Sequence, residues 1–255
     1  MKNRILNELT AIEAREDVHI VYACESGSRA WGMASADSDY DVRFLYAHRP
    51  EWYLSLEPGR DVIELPISER LDISGWDLRK TLRLFGHSNP ALLEWLQSPI
   101  VYRETPEVVD PLRELIPTVF SPERAYHHYR SQARNFHRRS ASDEGRTLKR
   151  FFYLLRTLLA ALWVDARETP PPITIQALAN AMLPPELQPE LERLLVVKRA
   201  GGEQEAAGAI GPLWDFAEAE LQRLASQERE FRRIWPPMDQ LNVLFRRFLD
   251  ELWQA

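Results

Sequence analysis

Cysteine is nearly absent from this chain: among 255 residues only Cys24 carries a thiol. That excludes an intramolecular disulfide and a thiolate-rich zinc site, and it points to a reducing compartment. Cys24 lies in an apolar run and reads as a small buried hydrophobe. Long apolar runs are missing too. The most apolar stretch, "FFYLLRTLLAALWV" from Phe151, is too short to cross a bilayer and carries Arg156 in its middle, so it reads as a core helix. The opening "MKNRILNELTAIEARED" is charged throughout with helical periodicity. It has neither the apolar centre of a secretion signal nor the acid-poor character of a transit peptide, and the expectation is a cytoplasmic protein that does not engage a membrane. There is no internal repeat and no low-complexity tract. Histidines at metal-ligand spacing are lacking as well, because His127 and His128 are adjacent and cannot both point one way on a helix.

Positive charge is in short supply overall, with a formal net charge of -6. This argues against coating nucleic acid through global charge, although an average can hide a patch. One is present: from Glu123 to Arg156, nine Lys or Arg face three acids, a local +6 that leaves about -12 for the rest.

What the chain does contain falls into two parts. The first alternates element types: a helix near residues 2 to 15, an apolar strand "VHIVYACE", a Gly-Ser-Asp-rich segment, a strand "YDVRFLYA", short strands around "DVIELP" and "RLDIS", and helical patterns from about residue 76. From about residue 120 strand signals vanish. Helices are expected near 121–139, 144–166, 173–182, 186–199, 210–232 and 238–253, punctuated by "TPPP", "AGGEQEAAG" and "WPPMD". The predicted class is α+β: a small mixed sheet with helices over residues 1–118, then an all-α companion domain over 119–255. The boundary is drawn where "IPTVFSPER" places Ser121 as N-cap and Pro122 as the first helical residue. The eight tryptophans recur at apolar helical positions and read as packing anchors.

The chemistry concentrates in "ESGSRAWGMASADSDYDVRFLY", residues 25–46. In a strand, residues two apart share a face. In "DYDVRFLY", Tyr40, Val42, Phe44 and Tyr46 take one face, leaving Asp39, Asp41 and Arg43 on the other. Adjacent carboxylates repel unless something cationic lies between them, and hard oxygen ligands with no His or Cys nearby suit Mg²⁺ or Mn²⁺. Two such ions about 4 Å apart are the usual device of in-line phosphoryl transfer. A solvated acidic turn is the alternative for a bare Asp-x-Asp. The upstream segment weighs against it: Gly27 turns the chain sharply after a strand, and Ser28 begins a short helix whose free N–H groups, with the Ser28 hydroxyl and Arg29, suit phosphate. Ser is also a routine helix cap, so Gly-Ser alone would say little.

Strand, Gly27-Ser28, short helix and Asp39-Tyr40-Asp41 on the next strand together resemble the signature of the DNA polymerase beta-type nucleotidyltransferase superfamily. "GSRAWG", "DSDYDVRFLY", "SGWDLRKTLRLFGHSNPALLEWLQSPIVY" and "LKRFFYLLR" resemble, within it, a family of nucleotidyltransferases associated with RNA repair. The superfamily motif covers about residues 18–75, and the looser family likeness runs to about residue 200. The resemblance implies binding of a nucleoside triphosphate with Mg²⁺ and transfer of a nucleotidyl group to a hydroxyl, with loss of pyrophosphate. It further implies that Asp39 and Asp41 hold both metals, that a third carboxylate on a later strand holds one of them and helps deprotonate the acceptor, and that a companion-domain lysine and aromatic, here Lys149 and Tyr153, meet the nucleotide.

Candidates for the third carboxylate are Asp61, Glu64, Asp72 and Asp77. Asp77, three residues after Ser74, reads as part of a capping box. Asp72 faces away from Leu71 and Ile73 on a short apolar strand and is preferred to Glu64. Asp37 shares the parity of the pair but belongs to the turn. Lys149, Tyr153 and Arg156 fall on one helical face, a snorkelling Lys and a core Tyr being the alternative. Tyr126, Arg130, Arg134 and Arg138 form one helical stripe with His127, Tyr129 and His137 nearby, which suits an RNA strand through phosphate contacts and stacking, or else is a solvated basic helix. The expected function is Mg²⁺-dependent nucleotidyl transfer to an RNA end. The rivals are the same chemistry on a protein or small molecule, and a nucleotide- or RNA-binding module without turnover.

Overall fold

The computed structural model describes residues 1–57, 59–140, 147–201 and 210–253. By contacts the chain divides into two compact units, one comprising Met1–Gly27, Asp39–Val119 and Ile234–Ala255, the other Ser28–Ser38 and Phe120–Arg233.

The first unit is built on a five-stranded mixed sheet. Its strands are β1 (Val18–Ser26), β2 (Tyr40–His48), β3 (Val62–Glu64), β4 (Leu71–Asp77) and β5 (Val101–Glu104), in the order β3-β4-β2-β1-β5. Only β2 and β4 run parallel; the other neighbours are antiparallel. The alternation in "DYDVRFLY" is realised: Val42, Phe44 and Tyr46 enter one apolar core with Leu71 and Ile73 of β4, and Ile5, Leu9 and Ile12 of helix α1 (Lys2–Glu16) close it. Central β1 is buried almost end to end, since α1 packs on it as do α5 (Pro90–Leu96) and α6 (Pro106–Val119). Such a strand reads as a continuous apolar run rather than an alternating one. A buried environment also pushes the Cys24 thiol up to about 12, consistent with its reading as a core residue.

Gly75 of β4 is a point of close approach, because a Cβ there would lie 2.3 Å from the Phe44 ring. Gly75→Ala is therefore expected to overpack the core and cost about 1–3 kcal/mol. A urea titration should show a lower midpoint at unchanged slope; an unchanged midpoint would refute the tight packing.

Two elements of this unit were not anticipated. Strand β5 is four residues long at the sheet edge, too short to show a period, and helix α3 (Pro50–Tyr53) is a single turn. The last helix, α12 (Met238–Trp253), packs on α4 (Leu78–Gly86). Gly86 faces Leu241 and Met238, and Phe245 meets Tyr53 edge-on at 5.0 Å.

Helices α7 (Pro122–Arg139), α8 (Leu148–Arg167), α9 (Ile175–Met182), α10 (Gln188–Arg199) and α11 (Gly211–Ser226) make the second unit, with a 3-10 turn at Pro185–Leu187. Ser121 caps α7 by accepting from Arg124 N, as its position before Pro122 leads one to expect. The apolar run from Phe151 is the buried spine of α8. Expectations for residues 141–146 and 202–209, including the start of the helix expected at 144 and the charges of Asp143, Glu144 and Arg146, lie outside the described residues. Helix α11 ends at Ser226 rather than 232. The chain beyond is held by side chains instead of helical bonds: Arg229 pairs with Asp165 at 2.9 Å, and the Phe231 ring packs on Tyr126 at 5.1 Å.

Tryptophan behaves as an anchor at Trp76 and Trp95, whose rings lie 4.0 Å apart, and at buried Trp214. Trp235 departs from that reading: it sits in the irregular segment before α12 and is 79% exposed. Among the described residues no helix is long and apolar enough to cross a membrane.

Candidate active site

Strand β1 ends at Ser26, opposite Asp41 of β2, and the chain then turns at Gly27 into the four-residue helix α2 (Gly27–Ala30). The turn needs glycine twice over. Its φ is +61°, a left-handed conformation that costs other residues about 1–2 kcal/mol, and a Cβ there would stand 2.2 Å from Asp41 Oδ2.

The parallel register of β2 and β4 sets Asp41 directly beside Asp72 and Arg43 beside Ser74. Residues paired in register share a face, so the two carboxylates stand together on the side away from the α1 core. Arg43 offsets part of their charge. Its Nη2 lies 2.8 Å from Asp72 Oδ2 and 3.7 Å from Asp41 Oδ1, while Nη1 donates to the backbone carbonyls of Val42 at 3.0 Å and Asp72 at 3.3 Å. All three side chains keep some contact with solvent, at 19% for Arg43, 28% for Asp41 and 30% for Asp72. Asp39 lies one step before β2 and is exposed, next to Tyr40, whose N–H donates to Arg70 O at 2.7 Å.

The other candidate carboxylates have structural partners. Glu64 lies on edge strand β3 opposite Ser74 and pairs with Arg60 at 2.8 Å. Asp61 pairs with Lys80 at 2.9 Å. Asp77 does cap the following helix, but as the N-cap itself rather than as the third helical residue of a box begun by Ser74, which belongs to β4. It accepts from Arg79 N and from the Tyr53 hydroxyl, and burial raises its pKa.

One acid of the site went unnoticed in the sequence. Glu25 is 1% exposed. Its carboxylate accepts from Asp41 N at 2.8 Å and from the Tyr102 hydroxyl of β5, while its own carbonyl accepts from Ser98 Oγ at 2.6 Å. A buried carboxylate held from two strands fixes the backbone of Asp41. The available signal was an acid closing the otherwise apolar run "VHIVYAC".

Ser28 and Arg29 open the segment that belongs to the helical unit. Ser28 is 8% exposed and its carbonyl accepts from Met33 N, while Arg29 donates to Ser38 O at 2.7 Å. Ser35 and Ser38 close a turn through a 2.9 Å bond from Ser35 N to Ser38 Oγ, with Asp37 exposed inside it, which is its expected place. Trp31 ties this segment to α8, since its ring lies under the Arg156 guanidinium at 4.0 Å and edge-on to Tyr153 at 5.3 Å. The expected face of Lys149, Tyr153 and Arg156 thus runs from solvent to core. Lys149 is exposed and Tyr153 is wedged between Trp31 and Phe136, but Arg156 is 2% exposed and donates to Ile173 O. Arg156 is a structural tie and drops out of any surface patch.

Among the described residues, no group of three or more His, Cys, Asp or Glu side chains is gathered to hold a metal. The donors that are present nevertheless fit a hard divalent cation. Asp41 and Asp72 offer carboxylate oxygens on one face, and the missing Cβ of Gly27 leaves Asp41 Oδ2 uncrowded.

A mixed five-stranded sheet with helices, followed by a larger helical region, is the architecture of a polymerase-beta-like nucleotidyltransferase with its helical companion. More closely, the chain belongs to the RNA repair pathway DNA polymerase beta family, whose model matches residues 1–247. It is similar to the uncharacterized protein YcgL of Bacillus subtilis, at 45% identity over 256 residues, covering 100% of this chain and 98% of that protein. It is also similar to the crystal structure of a nucleotidyltransferase-like protein from Exiguobacterium sibiricum, at 13% identity and a TM-score of 0.34, covering 100% of this chain and 80% of that one; a likeness this distant carries no argument.

Proposed function

We propose that the protein transfers a nucleotidyl group from a nucleoside triphosphate to an acceptor hydroxyl, with an RNA end as acceptor. The observation that carries this is the in-register pair Asp41 and Asp72, with Asp41 opposite Ser26, the residue just before a glycine turn whose missing Cβ faces the Asp41 carboxylate. Asp39, Asp41 and Asp72 would hold Mg²⁺ or Mn²⁺, which when bound supplies charge neutralisation and polarisation of the phosphoryl oxygens.

The chain's own residues do the rest. Glu25 and Tyr102 hold the Asp41 backbone in place, so that its carboxylate need not be reorganised during turnover. Asp72 accepts the proton of the acceptor hydroxyl as its oxygen bonds to the α-phosphorus. The bond from that phosphorus to the β-phosphate's bridging oxygen breaks, and pyrophosphate leaves. Gly27, Ser28 and Arg29 are assigned to the terminal phosphates, and Lys149 and Tyr153 to the nucleotide, on the family resemblance. RNA as acceptor draws its support from the family's association with RNA repair and from the arginines of α7.

The test is incubation with each α-labelled triphosphate, Mg²⁺ or Mn²⁺, and separate pools of RNA ends, proteins and small hydroxyl compounds. Label is expected in the RNA pool. Label in another pool alone would keep the reaction and reassign the acceptor, and label in none would overturn the reading.

A further inference from the structure

A second cleft lies wholly within the helical unit. Helix α7 and helix α11 flank a cleft of about 650 Å³, a size in the range of ligand sites, and Arg130, Arg134 and Arg138 line it together. Their spacing of four puts them on one stripe, with successive Cα atoms about 6 Å apart along the axis. Arg134 and Arg138 are exposed and Arg130 is half-buried. Among the described residues no carboxylate pairs with any of the three; Arg138 donates to Asn135 Oδ1 at 2.9 Å, and Arg130 lies over the Tyr126 ring. His137 adds a further pointer. It lines the same cleft, and its Nε2 is buried with no hydrogen-bond partner among the described residues, 3.9 Å from Glu218.

The tyrosine rings interleaved with these arginines in the sequence are not available for stacking, whereas His127 is exposed and lines the cleft. Tyr126 is 1% and Tyr129 3% exposed, and the Tyr126 hydroxyl donates to Leu224 O. The His137 ring already stacks on Trp214 at 5.0 Å. What faces the cleft is guanidinium charge together with Ser131, Asn135, Gln222 and the exposed His127, with the carboxylate of Glu218 on the α11 side. A guanidinium stripe suits phosphates, and the hydroxyl and amide groups beside it suit sugar hydroxyls.

We infer that the α7–α11 cleft seats the sugar-phosphate backbone of a single-stranded RNA chiefly through its phosphates, with little dependence on base identity or stacking. This deepens the proposed function and rests on it for the strand's identity as the acceptor. Successive arginines meet successive phosphates, and the hydroxyl and amide groups between them meet ribose.

The test reads strand binding alone, by fluorescence anisotropy of a labelled single-stranded RNA titrated with the full-length protein at several salt concentrations, with no nucleoside triphosphate present. For the wild type, affinity should fall steeply with salt. Arg134→Gln combined with Arg138→Gln should make the slope of log K against log salt shallower by about 0.7 per arginine and weaken low-salt binding by roughly tenfold. Both side chains are exposed, and circular dichroism would verify the fold. Strands of uniform A, uniform U and abasic ribose should bind within about twofold of one another, since stacking on aromatics would add about 1–3 kcal/mol per base. Three results would overturn the inference: a double variant that binds like wild type, an abasic strand that loses most of its affinity, or capture of inorganic polyphosphate but not of RNA. Because the binding assay contains no nucleoside triphosphate, it and the α-label transfer assay fail independently, which separates the two readings.

Discussion

Asp41→Asn and Asp72→Asn should each lower nucleotidyl transfer by at least about 10³-fold while leaving the thermal unfolding midpoint within a few degrees of wild type. An amide keeps the size of the side chain but not its charge, and interactions aimed at charge developing in a transition state are worth about 3–4 kcal/mol apiece. Folding should tolerate either change because Arg43 donates to backbone carbonyls as well as to the carboxylates, so its guanidinium keeps partners. The measurement is initial rate under saturating triphosphate beside a melting curve. Rates within tenfold of wild type in both variants would remove Asp41 and Asp72 from the reaction. Glu64→Gln is the matched control: its carboxylate is engaged by Arg60 at the sheet edge, and transfer should be unchanged.

Gly27→Ala should be nearly as damaging by a different route. The methyl group would collide with Asp41 Oδ2 at 2.2 Å, and the φ of +61° would be strained for alanine. Either Asp41 rotates away or the turn opens, and a misplacement of about 1 Å at a reacting centre can cost some 10²-fold in rate. The strain itself adds about 1–2 kcal/mol of instability. The signature is therefore a joint one, a rate loss of 10²-fold or more by order of magnitude together with a modestly lower denaturation midpoint. Gly32→Ala tests the backbone effect alone, since Gly32 also has positive φ but nothing lies within 4 Å of its missing Cβ. If both variants behave alike, the close approach to Asp41 is irrelevant.

The alternation in "DYDVRFLY" carried most of the first unit's layout, because a period of two leaves little freedom about which side chains enter the core. It put Val42, Phe44 and Tyr46 inside and set Asp41 and Arg43 on the opposite face. The parity of "RLDIS" did the same for Asp72. Pairing was not legible. That β2 and β4 lie parallel and in register depends on the long connection between them, which has no local signature. The sequence reading looked to a metal to offset Asp39 and Asp41, and had no means of placing Arg43 between Asp41 and Asp72. Glu25 was hidden for a similar reason: its partners Asp41, Ser98 and Tyr102 are remote in sequence. In the helical unit, periodicity identified α7 and α8 but could not tell which face was solvated. Arg156 looked like surface charge and is buried under Trp31, and the tyrosines of α7 looked like stacking platforms and are core.

Arg43 has a consequence for how the protein comes into being. Small metal-dependent domains are commonly unfolded until their ion arrives, because the ligand charges cannot be brought together without it. Here the charges of Asp41 and Asp72 are partly offset by Arg43, a residue of the chain itself. The sheet is therefore expected to assemble without divalent cations and to persist in the presence of a chelator. Under the proposed reaction, ion supply would set the rate and leave the amount of folded protein unchanged.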